Sequence, residues 1–150
     1  MSSLKISDKA PLFSCKDQNE KIINLSDFLG QKVVLFFYPK ASTPGCTAEA
    51  CDLRDHAHQF KEKNYVLIGV SADSAKAQKK FEEKYELPFP LLADEDKSVI
   101  QAYGVWGPKK FMGKIYDGIN RTTFVIDEKG LIEKIISEVK TKAHAEQILA

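Results

Sequence analysis

The residues with the most chemical capacity fall in one short stretch, Tyr38-Pro39-Lys40-Ala41-Ser42-Thr43-Pro44-Gly45-Cys46-Thr47-Ala48-Glu49-Ala50-Cys51. It joins the end of an apolar run to the start of a helical pattern, and in open α/β sheets ligands and chemistry gather at such strand ends. Cys46 is placed in the first helical turn. There the unpaired backbone N–H groups and the positive end of the helix dipole favour a thiolate. The bland alternative is a small hydrophobe on the inner face of the helix. Thr43, Pro44 and Gly45 before it and Cys51 after it favour the reactive reading.

Cys51 follows Cys46 by five residues. Five residues of helix rise about 7.5 Å and turn about 140°, which sets the two Cα atoms roughly 8.6 Å apart. A disulfide needs about 7 Å or less. The two thiols therefore cannot bond within an intact helix, whereas a Cys-x-x-Cys pair could. Cys51 also leaves the apolar face, because its own stripe is Cys51, Asp55, His58 and Glu62. The expectation is a tucked Cys46 and a more exposed Cys51, joined only when the first helical turns unwind.

The elements around this stretch follow from hydrophobic period. Residues 12–25 read as a hairpin about Asp17-Gln18-Asn19-Glu20, and residues 26–30 as an N-capped helical turn closed by glycine. The runs 32–38 and 65–70 are continuously apolar, as strands buried on both faces are. Cys46, Ala50, Leu53, Ala57 and Phe60 mark one face of a helix over 46–63, and a second helix ends near Tyr85 before Pro88 and Pro90. A short strand at 91–93 and a short helix at 97–103 come next. Residues 105–118 read as a long surface loop, 121–136 as a hairpin about Asp127-Glu128-Lys129-Gly130, and 141–150 as a closing helix. Strands separated by helices imply parallel pairing, and the late hairpin adds antiparallel strands. The expected fold is α/β, a thioredoxin-like three-layer sandwich. It has a mixed central sheet, helices on both faces and an N-terminal β-hairpin, all in one domain spanning 1–150.

The motif stretch resembles the peroxiredoxins, whose Pro-x-x-x-Thr-x-x-Cys pattern is present as Pro39, Thr43 and Cys46. The string from Thr43 to Cys51 is most similar to the bacterioferritin comigratory protein, or peroxiredoxin Q, subfamily. The likeness extends to Lys9-Ala10-Pro11-Leu12-Phe13, to Pro88-Phe89-Pro90-Leu91-Leu92-Ala93-Asp94, to Tyr103-Gly104-Val105-Trp106 and to the run from Gly118 through Arg121 to Asp127. The resemblance implies a thiol-specific peroxidase acting on hydrogen peroxide and organic hydroperoxides. It implies that Cys46 is the peroxidatic thiol, oxidised to a sulfenic acid, and that Cys51 resolves it to an intramolecular disulfide recycled by thioredoxin or a similar dithiol. Thr43 would offer its hydroxyl to thiolate and peroxide, and Pro39 would shape the loop and shield the sulfur. Arg121 would hold the thiolate and the charge that develops as the O–O bond breaks. Glu49 would orient the arginine, with a first-turn acid favoured by the helix dipole as its plainer reading. The subfamily also implies a monomer.

Other readings have less support. A thiol-disulfide oxidoreductase on the same fold lacks its Cys-x-x-Cys motif, and a redox sensor or holdase would use the same cysteine switch without turnover. Cys15 reads as a passive thiol and His144 as a surface residue. Trp106 reads as a covering residue. His56 and His58 point apart on a helix, and with Cys46 and Cys51 they match no zinc spacing, so no metal is expected. No phosphate loop or dinucleotide fingerprint is present, so no cofactor is expected. The formal net charge of +1 gives no bulk attraction to nucleic acid. The longest apolar run, 33–38, is too short for a membrane span, and the N-terminus has no signal-peptide core, which together point to the cytoplasm. The odd number of cysteines in such a compartment points away from a structural disulfide framework.

Overall fold

The computed structural model describes residues 3–150, with only the backbone of Phe111. Met1 and Ser2, the start of the stretch read above for a signal peptide, lie outside the described residues. A hairpin of β1 (Ser14–Lys16) and β2 (Ile22–Asn24) leads through a 3-10 turn (Leu25–Phe28) into β3 (Lys32–Phe37). Then come α1 (Pro44–Asp55), α2 (Ala57–Glu62), β4 (Tyr65–Ser71), α3 (Ala75–Tyr85), β5 (Leu91–Ala93) and α4 (Ser98–Ala102). The chain ends with β6 (Trp106–Phe111), β7 (Lys114–Ile119), β8 (Thr122–Ile126), β9 (Ile132–Ile136) and α5 (His144–Leu149).

The central sheet has the order β5-β4-β3-β8-β9. The β3–β4 and β4–β5 pairs are parallel, and the β3–β8 and β8–β9 pairs are antiparallel. β3 shows why its run is apolar throughout. Val33, Leu35 and Phe37 enter one core, together with Val99, Ile100 and Tyr103 from α4 and its end. Val34, Phe36 and Tyr38 enter the other, together with Cys46, Ala50 and Leu53 of α1, Phe60 of α2, Phe81 of α3 and Ile148 of α5. Strand side chains alternate between faces, so a central strand between two helical layers must be apolar at every position. Gly69 is required by the same packing. A Cβ there would lie 2.9 Å from Phe36 Cζ and 3.0 Å from both Leu91 and Tyr38. Among the described residues no helix is long and apolar enough to cross a membrane.

Two sequence expectations are corrected. Residues 105–118 are not a loop but an antiparallel ribbon, β6 pairing β7 from Trp106↔Ile119 to Phe111↔Lys114. Its tight turn uses Met112 and Gly113 at φ 51° and 79°. A methionine in the left-handed region, in place of the usual Asn or Asp before glycine, hid the hairpin signal. The helix expected over 46–63 is two helices, because His56 leaves helical geometry at φ −108°, ψ 10°. Its ring Nδ1 lies 2.7 Å from the Asp52 carbonyl, the acceptor its own N–H would use in a regular helix. That N–H bonds the Leu53 carbonyl at 3.2 Å instead.

Candidate active site

The loop between β3 and α1 is held from below. Tyr38 is fully buried at the end of β3, and its hydroxyl lies 2.5 Å from Gln78 Oε1. The Asp73 carboxylate accepts the Ala41 N–H at 2.7 Å and the Ser71 hydroxyl at 2.7 Å. α1 then starts with Thr43 as its N-cap and Pro44 in its first turn. Proline suits that place, since the first helical N–H groups have no intrahelical partner in any case. The Thr43 side chain does not cap the helix: its hydroxyl donates to the Lys40 carbonyl at 2.7 Å. Pro39 stands half-buried between Tyr38 and Lys40.

Cys46 lies in the first turn and is 2% exposed. Arg121, just before β8, reaches it across the gap between the two elements: Nη2 donates to Cys46 Sγ at 3.4 Å, and Nη1 donates to Glu49 Oε1 at 2.6 Å. One guanidinium thus bridges a thiol and a carboxylate presented from successive positions on the same helical face. Gly45 makes room for it, since a Cβ there would lie 3.2 Å from Arg121 Nη2. The arginine segment is fixed by Asn120 N–H on the Val105 carbonyl at 2.7 Å and by Lys109 Nζ on the Ile119 carbonyl at 2.8 Å.

Glu49 has no solvent exposure. Burial pushes its carboxyl up to about 7, against the pull of Arg121. Burial likewise disfavours the charge on Arg121, but Cys46 and Glu49 more than offset this and hold it above its ordinary range. The first-turn reading of Glu49 is overturned, because the first turn of α1 contains no acid. Of the six residues expected at the site, Cys46, Glu49 and Arg121 are brought into contact. Thr43 and Pro39 flank them in the preceding loop. Cys51 lies further along the same uninterrupted helix, half-buried, and its thiol and that of Cys46 are both free.

Two further residues are placed against expectation or beyond it. His144 is fully buried rather than at the surface, with Nε2 3.5 Å from Glu49 Oε2 and 2.6 Å from Thr123 Oγ1. The signal was available: His144, Ala145 and Ile148 form the buried stripe of α5 at helical spacing. Lys109 sits close enough to feel both Arg121 and Cys46, and burial is the main cause of its lowered pKa. Cys15 is buried in the opposite core, where burial and the carboxylates of Asp94 and Asp96 push its thiol up to about 12. Among the described residues no group of three or more His, Cys, Asp or Glu is placed to hold a metal ion.

The AhpC/TSA family model matches residues 6–135. The chain belongs to that family. Its relatives narrow the branch to the bacterioferritin comigratory protein, or peroxiredoxin Q, group. Peroxiredoxin Bcp of Escherichia coli is 48% identical over 149 residues, covering 99% of this chain and 96% of its own. The crystal structure of peroxidoxin BcpB from Mycobacterium tuberculosis superposes with a TM-score of 0.86 at 40% identity, over 97% of this chain and 94% of that one. The bacterioferritin comigratory protein of Xanthomonas campestris, described with alkyl peroxide reduction activity, gives a TM-score of 0.87 at 30% identity, over 99% and 95% of the two chains. This peroxiredoxin is accordingly a thiol-dependent peroxidase on a thioredoxin-like fold.

Proposed function

We propose that the peroxidase reduces hydrogen peroxide and organic hydroperoxides through Cys46, with Cys51 as resolving thiol and thioredoxin or a similar dithiol as reductant. The contact that supports this most is Arg121 spanning Cys46 Sγ and Glu49 Oε1 at 3.4 and 2.6 Å. It gives a buried sulfur a permanent cation with a fixed donor direction. The Cys46 thiolate attacks the terminal peroxide oxygen, which keeps its hydrogen. The O–O bond breaks, and the alkoxide or hydroxide that leaves takes a proton from solvent to become alcohol or water. The sulfur is then a sulfenic acid. Arg121 stabilises the charge moving onto the leaving oxygen. The Thr43 hydroxyl already donates to Lys40, so it offers the peroxide O–H its lone pairs. Pro39 shapes the loop and limits water at the sulfur. The Cys51 thiol next attacks the sulfenic sulfur, a disulfide forms and water leaves. The external dithiol reduces it by exchange, returning both thiols. We assign all of this to a single domain, 1–150, acting as a monomer in the cytoplasm.

The resolving step requires α1 to open, because Cys46 and Cys51 lie in one continuous helix. The helix start suits this. Thr43 makes no side-chain cap bond, which forgoes about 1 kcal/mol, and Gly45 lies in the first turn. Hydrogen peroxide added with thioredoxin and its reductase is expected to be consumed in repeated turnovers. Oxidation of one protein equivalent without turnover would instead mark a sensor. In the same preparations the disulfide form is expected to have less helix by circular dichroism and faster amide exchange over 46–55 than the reduced form. Equal exchange over that segment in the two forms would rule out the unwinding step.

A further inference from the structure

Behind the Arg121–Glu49 contact lies a buried pair with room for one proton. The pattern of donors around His144 fixes half of it. Gln147 Nε2 donates to the Glu138 carbonyl at 2.9 Å, and Gln147 Oε1 accepts the Lys140 N–H at 2.9 Å, so the amide orientation is settled. His144 Nδ1, 2.8 Å from that same Oε1, must therefore carry a hydrogen. The second ring nitrogen, Nε2, faces Thr123 Oγ1 and Glu49 Oε2. Glu49 Oε2 is buried and has no hydrogen-bond partner. A proton on Nε2 gives an imidazolium paired with the carboxylate, and a proton on Oε2 gives a carboxylic acid facing a basic nitrogen. With neither, Nε2 accepts the Thr123 hydroxyl and Glu49 stays a buried anion, paired with Arg121 through Oε1 while its Oε2 goes without a hydrogen bond, which is costly.

We propose that Glu49 and His144 act as a one-proton positioning pair that sets how much of the Arg121 charge serves Cys46. The inference rests on the assignment of Cys46 as the peroxidatic thiol. When the pair holds its proton, taken from bulk water, the cluster of Cys46 thiolate, Arg121, Glu49 and His144 sums to zero charge. When the proton leaves, Glu49 carries a full negative charge within reach of the same guanidinium. It then competes with the thiolate for Arg121 and repels the charge growing on the peroxide oxygens. The other charged groups facing the pair are Arg121, Asp52 of α1, which raises the basicity of His144, and through Arg121 the Cys46 sulfur itself. Burial lowers the basicity of His144 and raises the Glu49 carboxyl to about 7, so within the pair the proton is held on the Glu49 side. Asp52 also fixes the start of α5 by accepting the Ala145 N–H at 2.8 Å, so the imidazole is held in place from α1.

The test reads the proton and the reaction separately. The full reduced protein, labelled with ¹³C and ¹⁵N, is titrated from pH 5.5 to 9.5, following Glu49 Cδ and His144 Nε2. The two resonances are expected to move together with one midpoint. The single-turnover rate with hydrogen peroxide is expected to fall about fivefold or more over the two pH units above that midpoint, as expected when one protonated form carries the reaction. Glu49→Gln should remove both the joint transition and the alkaline fall in rate. His144→Gln keeps a buried polar group and should move the midpoint of the rate profile, whereas a purely structural role would scale the rate equally at every pH. Resonances that stay flat or move independently overturn the proposal, as does an alkaline limb unchanged in both variants. Joint titration in a protein that consumed no peroxide would overturn the peroxidatic assignment while leaving the proton pair standing.

Discussion

Cys46→Ser is expected to lower peroxide reduction by on the order of 10³-fold or more, since loss of the nucleophile forfeits the covalent step altogether. The serine would occupy the same pocket, against the same Arg121 donor, but its hydroxyl does not ionise near neutral pH. Cys51→Ser should behave differently in kind. Its first equivalent of peroxide should still be consumed at a rate close to that of the parent protein, leaving a Cys46 sulfenic acid detectable by mass spectrometry. Dithiol-driven turnover should stop, and further peroxide should carry the sulfur on to the sulfinic acid. Cys15→Ser should change neither step, because that thiol packs on the other side of the sheet. Peroxide reactivity that survives in Cys46→Ser would remove this residue from the centre of the mechanism.

Arg121→Ala is expected to slow peroxide attack by about 10²- to 10³-fold, the usual effect of deleting one aligned donor from a developing negative charge. Its effect on folding should be smaller. Glu49 is already held at about 7 by burial, so once the guanidinium is gone it can take up a proton instead of remaining a buried anion. Arg121→Lys should recover only part of the rate. A single ammonium cannot reach Cys46 Sγ and Glu49 Oε1 together as the two guanidinium nitrogens do. Single-turnover kinetics alongside urea unfolding separate the two effects. A variant that loses stability in proportion to rate would make Arg121 a structural residue.

The sequence showed most clearly what depends on local period. The unbroken apolar run at 33–38 could only be a central strand with two cores, and its alternation between them is as expected. The reactive helix start was equally legible, because Pro39, Thr43, Cys46 and Cys51 lie close together in the chain. Contacts between distant residues were not. Arg121 and Glu49 are 72 residues apart, and only family likeness linked them in advance. Glu49 and His144 stand 95 residues apart, and nothing in the spacing of either announces the other. The β6–β7 ribbon was missed for a backbone reason, the left-handed Met112, to which side-chain patterns are blind.

The division of the interior by the central sheet has a consequence for the three thiols. Cys15 lies in one core and Cys46 in the other, with β3 and its neighbours between them. The sheet therefore works as a bulkhead between thiol compartments. In the folded chain the sulfenic acid on Cys46 can be trapped only from its own side, where Cys51 is the one other cysteine. A bond from Cys15 to either of them demands that the bulkhead be breached, which happens only in the unfolded chain. Mispaired disulfides in a cell under peroxide stress would thus report how much of this protein had unfolded or had not yet folded, and the correctly paired bond would report how much had worked.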